Sequence, residues 1–267
     1  MIRWLGRGLV ALIALYALVV GGFYVAQRPL LFTTGPGLET PPVYADRPIT
    51  VQTLTTTDGI KLVGWYMPPQ PGQPVILFFH GKRGGLLRHK PRWDAIHAQG
   101  AGFLVIGYRG FSGSQGSPTE AGLHKDAEAA WAWLSARHKP ETIVIHGYSL
   151  GSGVASKLAT HAPNARMLVL EAPFTAAVDV AAETYPLLPV SLIMKDQFRS
   201  RDWIGDVRPP VLIVHGTADE TVPFGHGQKL YQMVRSEKTF VSIEGAKHNE
   251  LPRRGLYPII WKALSLT

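Results

Sequence analysis

No cysteine occurs among the 267 residues, which excludes disulfides, thiolate metal sites and a cysteine nucleophile. That absence fits an oxidising compartment. Acidic residues are also scarce, with 19 Asp and Glu against 27 Lys and Arg, a net charge of +8. Such an excess suits an anionic membrane or nucleic acid. No helix-turn-helix pattern, zinc-ligand spacing or aromatic RNA-binding signature is present, so nucleic acid is not an expected partner. Charged residues make up 17% and hydrophobic ones 46% of the chain, a globular composition with a membrane contribution. There is no internal repeat and no low-complexity tract. No metal and no cofactor is expected. Part of the positive charge is concentrated in Lys82, Arg83, Arg88, Lys90 and Arg92, a stretch without an acid. It reads as a solvated loop and helix face, or as a contact for lipid phosphates or an acidic substrate.

From Leu9 to Ala26 no charge interrupts the chain, with Arg3 and Arg7 before the stretch and Arg28 after it. About eighteen residues are just enough to cross a hydrocarbon core as a helix. Trp4, Tyr16, Phe23 and Tyr24 supply interfacial aromatics. A cleaved signal peptide is the rival reading, but Tyr24-Val25-Ala26 puts a tyrosine where cleavage wants a small residue. An uncleaved anchor over residues 1–28 is therefore expected. The arginines before the span favour a cytoplasmic N-terminus and a domain on the non-cytoplasmic side. Residues 29–48, rich in Pro, Gly and Thr, read as a linker that lifts the domain off the bilayer.

The chain from 49 to 267 alternates strand and helix patterns. Ile49 to Thr56 and Ile60 to Met67 flank Asp58-Gly59, a hairpin signal. Val75 to Phe79 is a continuous apolar run and marks a buried strand. Strands are also read at Phe103 to Tyr108, Met167 to Leu170, Val211 to Val214 and Thr239 to Ile243, with another in the β-branched run from Ile143 that meets Gly147. Helical patterns fall between them, at Thr119 to Arg137, from Leu150 to about His161, and at Phe224 to Val234. Another spans Leu251 to Leu264. An α/β class with a mostly parallel sheet covered on both faces follows.

At Gly147-Tyr148-Ser149-Leu150-Gly151 a strand meets a helix. The turn is too sharp for large neighbours, so the two glycines leave room for Ser149 to project from the carboxyl end of the sheet. The N–H of Leu150 at the helix start faces the same space, where a developing oxyanion would be stabilised.

These segments, with His80-Gly81, Gly107-Tyr108-Arg109-Gly110, His215-Gly216-Thr217-Ala218-Asp219 and Ala246-Lys247-His248-Asn249, resemble the α/β-hydrolases. In particular they resemble the membrane-anchored, single-domain α/β-hydrolase-domain proteins. The resemblance covers the chain from about residue 48 onward. It implies the order nucleophile, acid, histidine, with His248 as base in the loop after the last strand. Asp219 matches the family's acid motif and sits after the strand Val211 to Val214. Glu171 is its rival, because it follows the strand after the nucleophile helix. Asp179, Asp196, Asp202 and Asp206 lie in a less regular insertion and are poor candidates. Among other histidines, His80, His146 and His215 read as packing or backbone partners, and His161 and His226 as surface helix residues. The second oxyanion donor is assigned to the backbone N–H of Lys82, in the loop after the first buried strand. Many relatives carry a small uncharged pair where this chain has Lys82-Arg83, which makes the entrance basic.

Residues 174–205 form an insertion with apolar clusters at Tyr185-Pro186-Leu187-Leu188-Pro189 and Leu192-Ile193-Met194. It reads either as ordinary helix faces on the core or as a short cap lining an acyl pocket. The expected activity is hydrolysis of carboxylic esters or thioesters of small molecules or lipids by a Ser149–His248–Asp219 triad. A peptidase or amidase on the same triad, cofactor-free haloperoxidase-like chemistry and a catalytically silent binding scaffold stay open, since fold does not fix chemistry.

Overall fold

The computed structural model describes residues 2–265, with side chains from position 4 onward; Arg3, counted above as a flank, lies outside the described side chains. The apolar N-terminus forms one helix, α1 (Ile2–Leu31), so the first three residues of the expected linker belong to it. Its stretch Trp4–Leu31 has a mean hydropathy of 2.4 and no burial in its most apolar window.

The domain follows the alternation of apolar runs closely. The strands are β1 (Thr50–Thr55), β2 (Lys61–Met67), β3 (Val75–Phe79), β4 (Gly102–Ile106), β5 (Ile143–Tyr148), β6 (Met167–Glu171), β7 (Val211–Gly216) and β8 (Lys238–Ile243). Between and after them run α2 (Lys90–Ala98), α3 (Glu120–Ser135), α4 (Leu150–Ala159), α5 (Ala177–Thr184), α6 (Val190–Ile193), α7 (Ser200–Trp203), α8 (Phe224–Met233) and α9 (Leu256–Leu264). The eight strands form one sheet in the order β1-β2-β4-β3-β5-β6-β7-β8. β1 and β2 make the expected antiparallel hairpin, β2 pairs antiparallel with β4, and the remaining pairs are parallel. This is the α/β-hydrolase fold with a helix long and apolar enough to cross a membrane at its N-terminus.

Period-two alternation splits the core into two layers. Val75, Leu77 and Phe79 of β3 join Leu123 and Leu134 of α3 and Val154 and Leu158 of α4 on one face. Ile76 and Phe78 join Trp93 of α2 and Tyr257 and Ile260 of α9 on the other. Each large side chain so enclosed contributes about 1.5–3 kcal/mol. Arg109, in one of the shared motifs, binds Asp126 of α3 and Asp58 of the hairpin loop, tying the sheet edge to its helix.

The picture of residues 29–48 as a spacer that lifts the domain away is corrected. Phe32 is buried, and Thr33 pairs with the loop after β3 through Thr33 N to Lys82 O and Gly84 N to Thr33 O, 3.0 and 2.7 Å. Tyr44 donates to Asp94, and buried Arg47 donates to the carbonyls of His97, Gly100 and Ala101 at the end of α2. Proline and glycine give this segment no periodic signal, but its Phe, Tyr and Arg side chains fasten it along the domain. The insertion also differs from the expectation of irregularity, since α5, α6 and α7 all lie within it.

Candidate active site

β5 ends and α4 begins at Ser149, whose backbone adopts φ 51° and ψ −120°. That region is strained for any residue with a Cβ, at a cost of about 1–3 kcal/mol. It aims the hydroxyl away from both elements. A Cβ on Gly147 would stand 2.4 Å from Gly151 O, and one on Gly151 2.0 Å from Phe79 O. Only glycine permits β3, β5 and α4 to approach so closely, as the sequence pattern implies.

Three motif residues distant in sequence converge there. His248 lies after β8, with Nε2 2.9 Å from Ser149 Oγ and Nδ1 2.7 Å from Asp219 Oδ2. The tautomer that satisfies both contacts carries its proton on Nδ1, donating to Asp219 and accepting from Ser149. Asp219, beyond β7, is itself fixed, since its Oδ1 accepts the N–H groups of Thr221 and Val222, both at 2.9 Å. Burial alone would raise its pKa, but hydrogen bonds from His215 and His248 outweigh it and hold the carboxyl well below its ordinary range. Asp219 is therefore an anion aimed at the imidazole.

Glu171, the rival acid, is engaged elsewhere. At the end of β6 it is fully buried and takes two hydrogen bonds from Arg92, at 2.5 and 2.8 Å, with His146 Nε2 at 3.2 Å. Arg92 thus leaves the basic cluster of the sequence for the interior, and Lys90 pairs with Asp94. Lys82, Arg83 and Arg88 remain exposed and line the cavity beside Ser149.

His80 bonds the carbonyl of Gly81 at 2.8 Å, and burial pushes its pKa down to about 4. His215 reaches both Val222 O, at 3.0 Å, and the Asp219 carboxylate, at 3.2 Å. It therefore touches the proposed acid as well as the backbone. His161 is exposed and stands just past α4. His226 corrects the sequence reading: it is buried on α8 and faces Thr175 Oγ1 at 2.9 Å. Helical position does not reveal that the insertion covers it.

The loop bearing Lys82 is positioned by its neighbours. Gly81 runs so close that a Cβ on it would lie 3.4 Å from Ser149 Cβ. The Lys82 carbonyl is held by Thr33. Two residues not singled out from sequence also shape the site. Tyr148 donates to Asn249 Oδ1 at 2.5 Å, its ring stacks at a tilt near His248, and the Arg92 guanidinium lies 4.7 Å from its centroid. Nothing in a local pattern signals such a brace, although both residues sit inside the shared motifs.

Ser149 and His248 open into a cavity of about 570 Å³. One wall comes from the insertion, with Tyr185, Leu188 and Met194. Another comes from α1, with Phe23, Gln27, Leu30 and Leu31. The sequence did not reveal the contribution of α1.

Comparison with known proteins agrees with this architecture. The family described as "Serine aminopeptidase, S33" matches residues 70–204. An uncharacterised protein of Mycobacterium tuberculosis is 36% identical over 249 residues, covering 89% of this chain and 87% of that protein. Human α/β hydrolase domain-containing protein 17B is 36% identical over 206 residues, covering 76% and 70% of the two chains. Among solved structures, the Pyrococcus furiosus esterase Pf2001 superposes with a TM-score of 0.66 at 19% identity, covering 87% of this chain and 94% of that one. Pyrococcus horikoshii acylaminoacyl peptidase gives a TM-score of 0.65 at 16% identity, covering 82% and 41%.

Proposed function

Since the chain belongs to the α/β-hydrolase superfamily, we propose that it is a membrane-anchored serine hydrolase of carboxylic esters or thioesters. The observation that carries this reading is the continuous hydrogen-bonded row Ser149–His248–Asp219 at the mouth of a largely apolar cavity.

In the proposed reaction His248 Nε2 takes the proton of Ser149 Oγ as the oxygen attacks the substrate carbonyl carbon. Asp219 holds the imidazole and stabilises its positive form. The oxyanion is received by the backbone N–H groups of Lys82 and Leu150, preorganised by the close passage of Gly81 and the start of α4. As the intermediate collapses, His248 passes its proton to the leaving oxygen or sulfur, leaving Ser149 acylated. Water then attacks the acyl carbon, gives its proton to His248, and the freed carboxylic acid departs as Ser149 regains the proton.

The family description and the acylaminoacyl peptidase likeness favour a second reading, a peptidase on the same triad. The apolar walls given by Phe23, Leu30, Tyr185 and Leu188 argue for an acyl chain instead. The anchor reading draws support from α1, whose Gln27 and Arg28 bind the insertion. Cleavage after Ala26 would remove Tyr16 and Phe23, which contact Leu187 and Tyr185 of the insertion, and leave Gln27 at a chain end.

The test uses the full chain in detergent micelles with a fluorophosphonate probe, followed by nitrophenyl esters and peptide anilides. Labelling and ester turnover that vanish in Ser149→Ala are expected. Anilide turnover without ester turnover would move the assignment to peptidase. A folded wild-type chain that neither labels nor turns over would leave a binding scaffold.

A further inference from the structure

The anchor helix is longer than an anchor requires. Trp4–Leu31 contains 28 residues, about 42 Å of helix at 1.5 Å per residue, against a hydrocarbon core of about 30 Å. Its C-terminal part lies against the insertion. Gln27 binds the backbone of Ile193 and Lys195, at 3.1 and 2.7 Å. Arg28 pairs with Asp196 at 2.9 Å. Phe23 packs on Tyr185 with ring centroids 5.4 Å apart. Further along the helix, Tyr16 donates its hydroxyl to the carbonyl of Leu187 at 2.9 Å.

The polar row Gln27, Arg28, Lys195 and Asp196 marks a natural interface level. Tyr16 lies eleven residues from Gln27, so about 16 Å deeper, which is about the depth of one leaflet. The tip of the insertion is built for that depth, because Leu187 and Leu192 are 84% and 85% exposed and gain burial only in an apolar medium. At such depth a bare carbonyl or phenol is costly, and Tyr16 and Leu187 satisfy each other. Residues alternating with these, Leu188, Val190 and Ile193, line the cavity. The same short segment thus faces the leaflet on one side and the site on the other. At the cavity rim Lys82, Arg83 and Arg88 have no salt-bridge partner among the described residues. The carboxylates lining the cavity are Asp196, which is paired with Arg28, and Glu220.

We propose that α1 is both anchor and one wall of an acyl-chain subsite. The fatty chain of an anionic membrane lipid slides from the leaflet between α1 and the insertion to Ser149, with its headgroup held by Lys82, Arg83 and Arg88. The inference rests on Ser149 being the acylated nucleophile. A chain that stays between apolar walls avoids exposure to water along its path. The unpaired cations select negative headgroups at the interface.

The test uses the full chain in vesicles of phosphatidylcholine with phosphatidylglycerol. The probe is a fluorophosphonate bearing a long alkyl chain with a terminal diazirine. After phosphonylation and irradiation, peptide mapping is expected to find Ser149 labelled and the chain end cross-linked to residues 23–31 as well as to 185–194. Added acyl phosphatidylglycerol should slow labelling about tenfold, and the triple variant K82Q/R83Q/R88Q should lose that protection. Failure to label Ser149 would instead remove the hydrolase reading itself. Labelled Ser149 with no cross-link to residues 23–31 overturns the wall. Protection by a bilayer-tethered S-palmitoyl peptide but not by the lipid overturns the lipid assignment.

Discussion

Arg92 grips Glu171 through two short hydrogen bonds, and Glu171 also accepts the N–H of Ser149 on its backbone carbonyl, at 3.0 Å. Burial disfavours the charged carboxylate, but the Arg92 charge and the His146 hydrogen bond outweigh it and keep its pKa lowered. The carboxylate thereby serves the fold. Removing one partner of a buried pair leaves the other charge uncompensated, at a cost of about 3–5 kcal/mol. Arg92→Ala is therefore expected to lower the melting temperature sharply. Asp219→Asn, which replaces the partner of His248 but keeps an oxygen for the Thr221 and Val222 N–H groups, should lower melting less than Arg92→Ala while kcat drops about ten-thousandfold. Thermal melts alongside ester kinetics check the contrast. Equal losses of activity with equal stability in both variants would restore Glu171 as the acid.

The positive φ of Ser149 gives a prediction of opposite sign for stability. Ser149→Ala keeps a Cβ in the strained conformation, whereas Ser149→Gly releases it. Both should be inactive. The glycine variant should be the more stable of the two by about 1 kcal/mol or more, within the range known for such strain. Calorimetry of the two variants reads the difference directly, and a glycine variant no more stable than the alanine one would show that the turn is unstrained.

Buried histidines predict how stability follows pH. His80 is held neutral by burial, opposed by its bond to Gly81 and helped by nearby Arg88, with a pKa near 4 against 6.5 for a free imidazole. Below pH 6.5 the unfolded chain takes up a proton that folded His80 refuses, so stability declines towards pH 4 and then levels. The contribution of this single group over the window is about 3 kcal/mol. Burial pushes His89 and His146 the same way. Asp219 acts lower on the scale: its depressed folded pKa gives stability that is present above pH 3.8 and lost as pH falls through the folded value. Melting temperatures taken across the window should rise with pH in the wild type and rise less steeply in His80→Gln.

Strands were legible because burial on both faces writes itself as an apolar run. Val75 to Phe79 appears in the structure with the bounds read from sequence, and the run from Ile143 becomes a strand that continues to Tyr148. The meeting of Ser149, Asp219 and His248 was legible through spaced motifs, each at the carboxyl end of a strand. What was hidden are contacts that depend on distant partners. Arg92 read as surface charge until Glu171, 79 positions away, claimed it. His226 read as exposed until Thr175 covered it. Phe23 looked like a membrane residue alone, because hydropathy reports the medium a side chain prefers and is silent on which apolar surface provides it; Leu31 was read as linker and lines the cavity too.

The segment that joins α1 to the domain predicts a two-step response to truncation. A chain beginning at Phe32 keeps the pairing of Thr33 with Lys82 and Gly84, so the loop assigned to the oxyanion stays braced. It loses Phe23, Leu30 and Leu31 from the cavity wall. Such a chain should still turn over acetate esters and lose its preference for long acyl chains. A chain beginning at Pro36 lacks Thr33 as well, and the Lys82 carbonyl loses its anchor. Loosening a preorganised donor costs about tenfold to a hundredfold in rate, so kcat on acetate esters should fall by that factor in the second chain only. Steady-state kinetics of both chains on short and long nitrophenyl esters separate the two effects. If the first chain already loses acetate turnover, α1 supports the catalytic loop itself. If the second keeps it, Lys82 is held without Thr33.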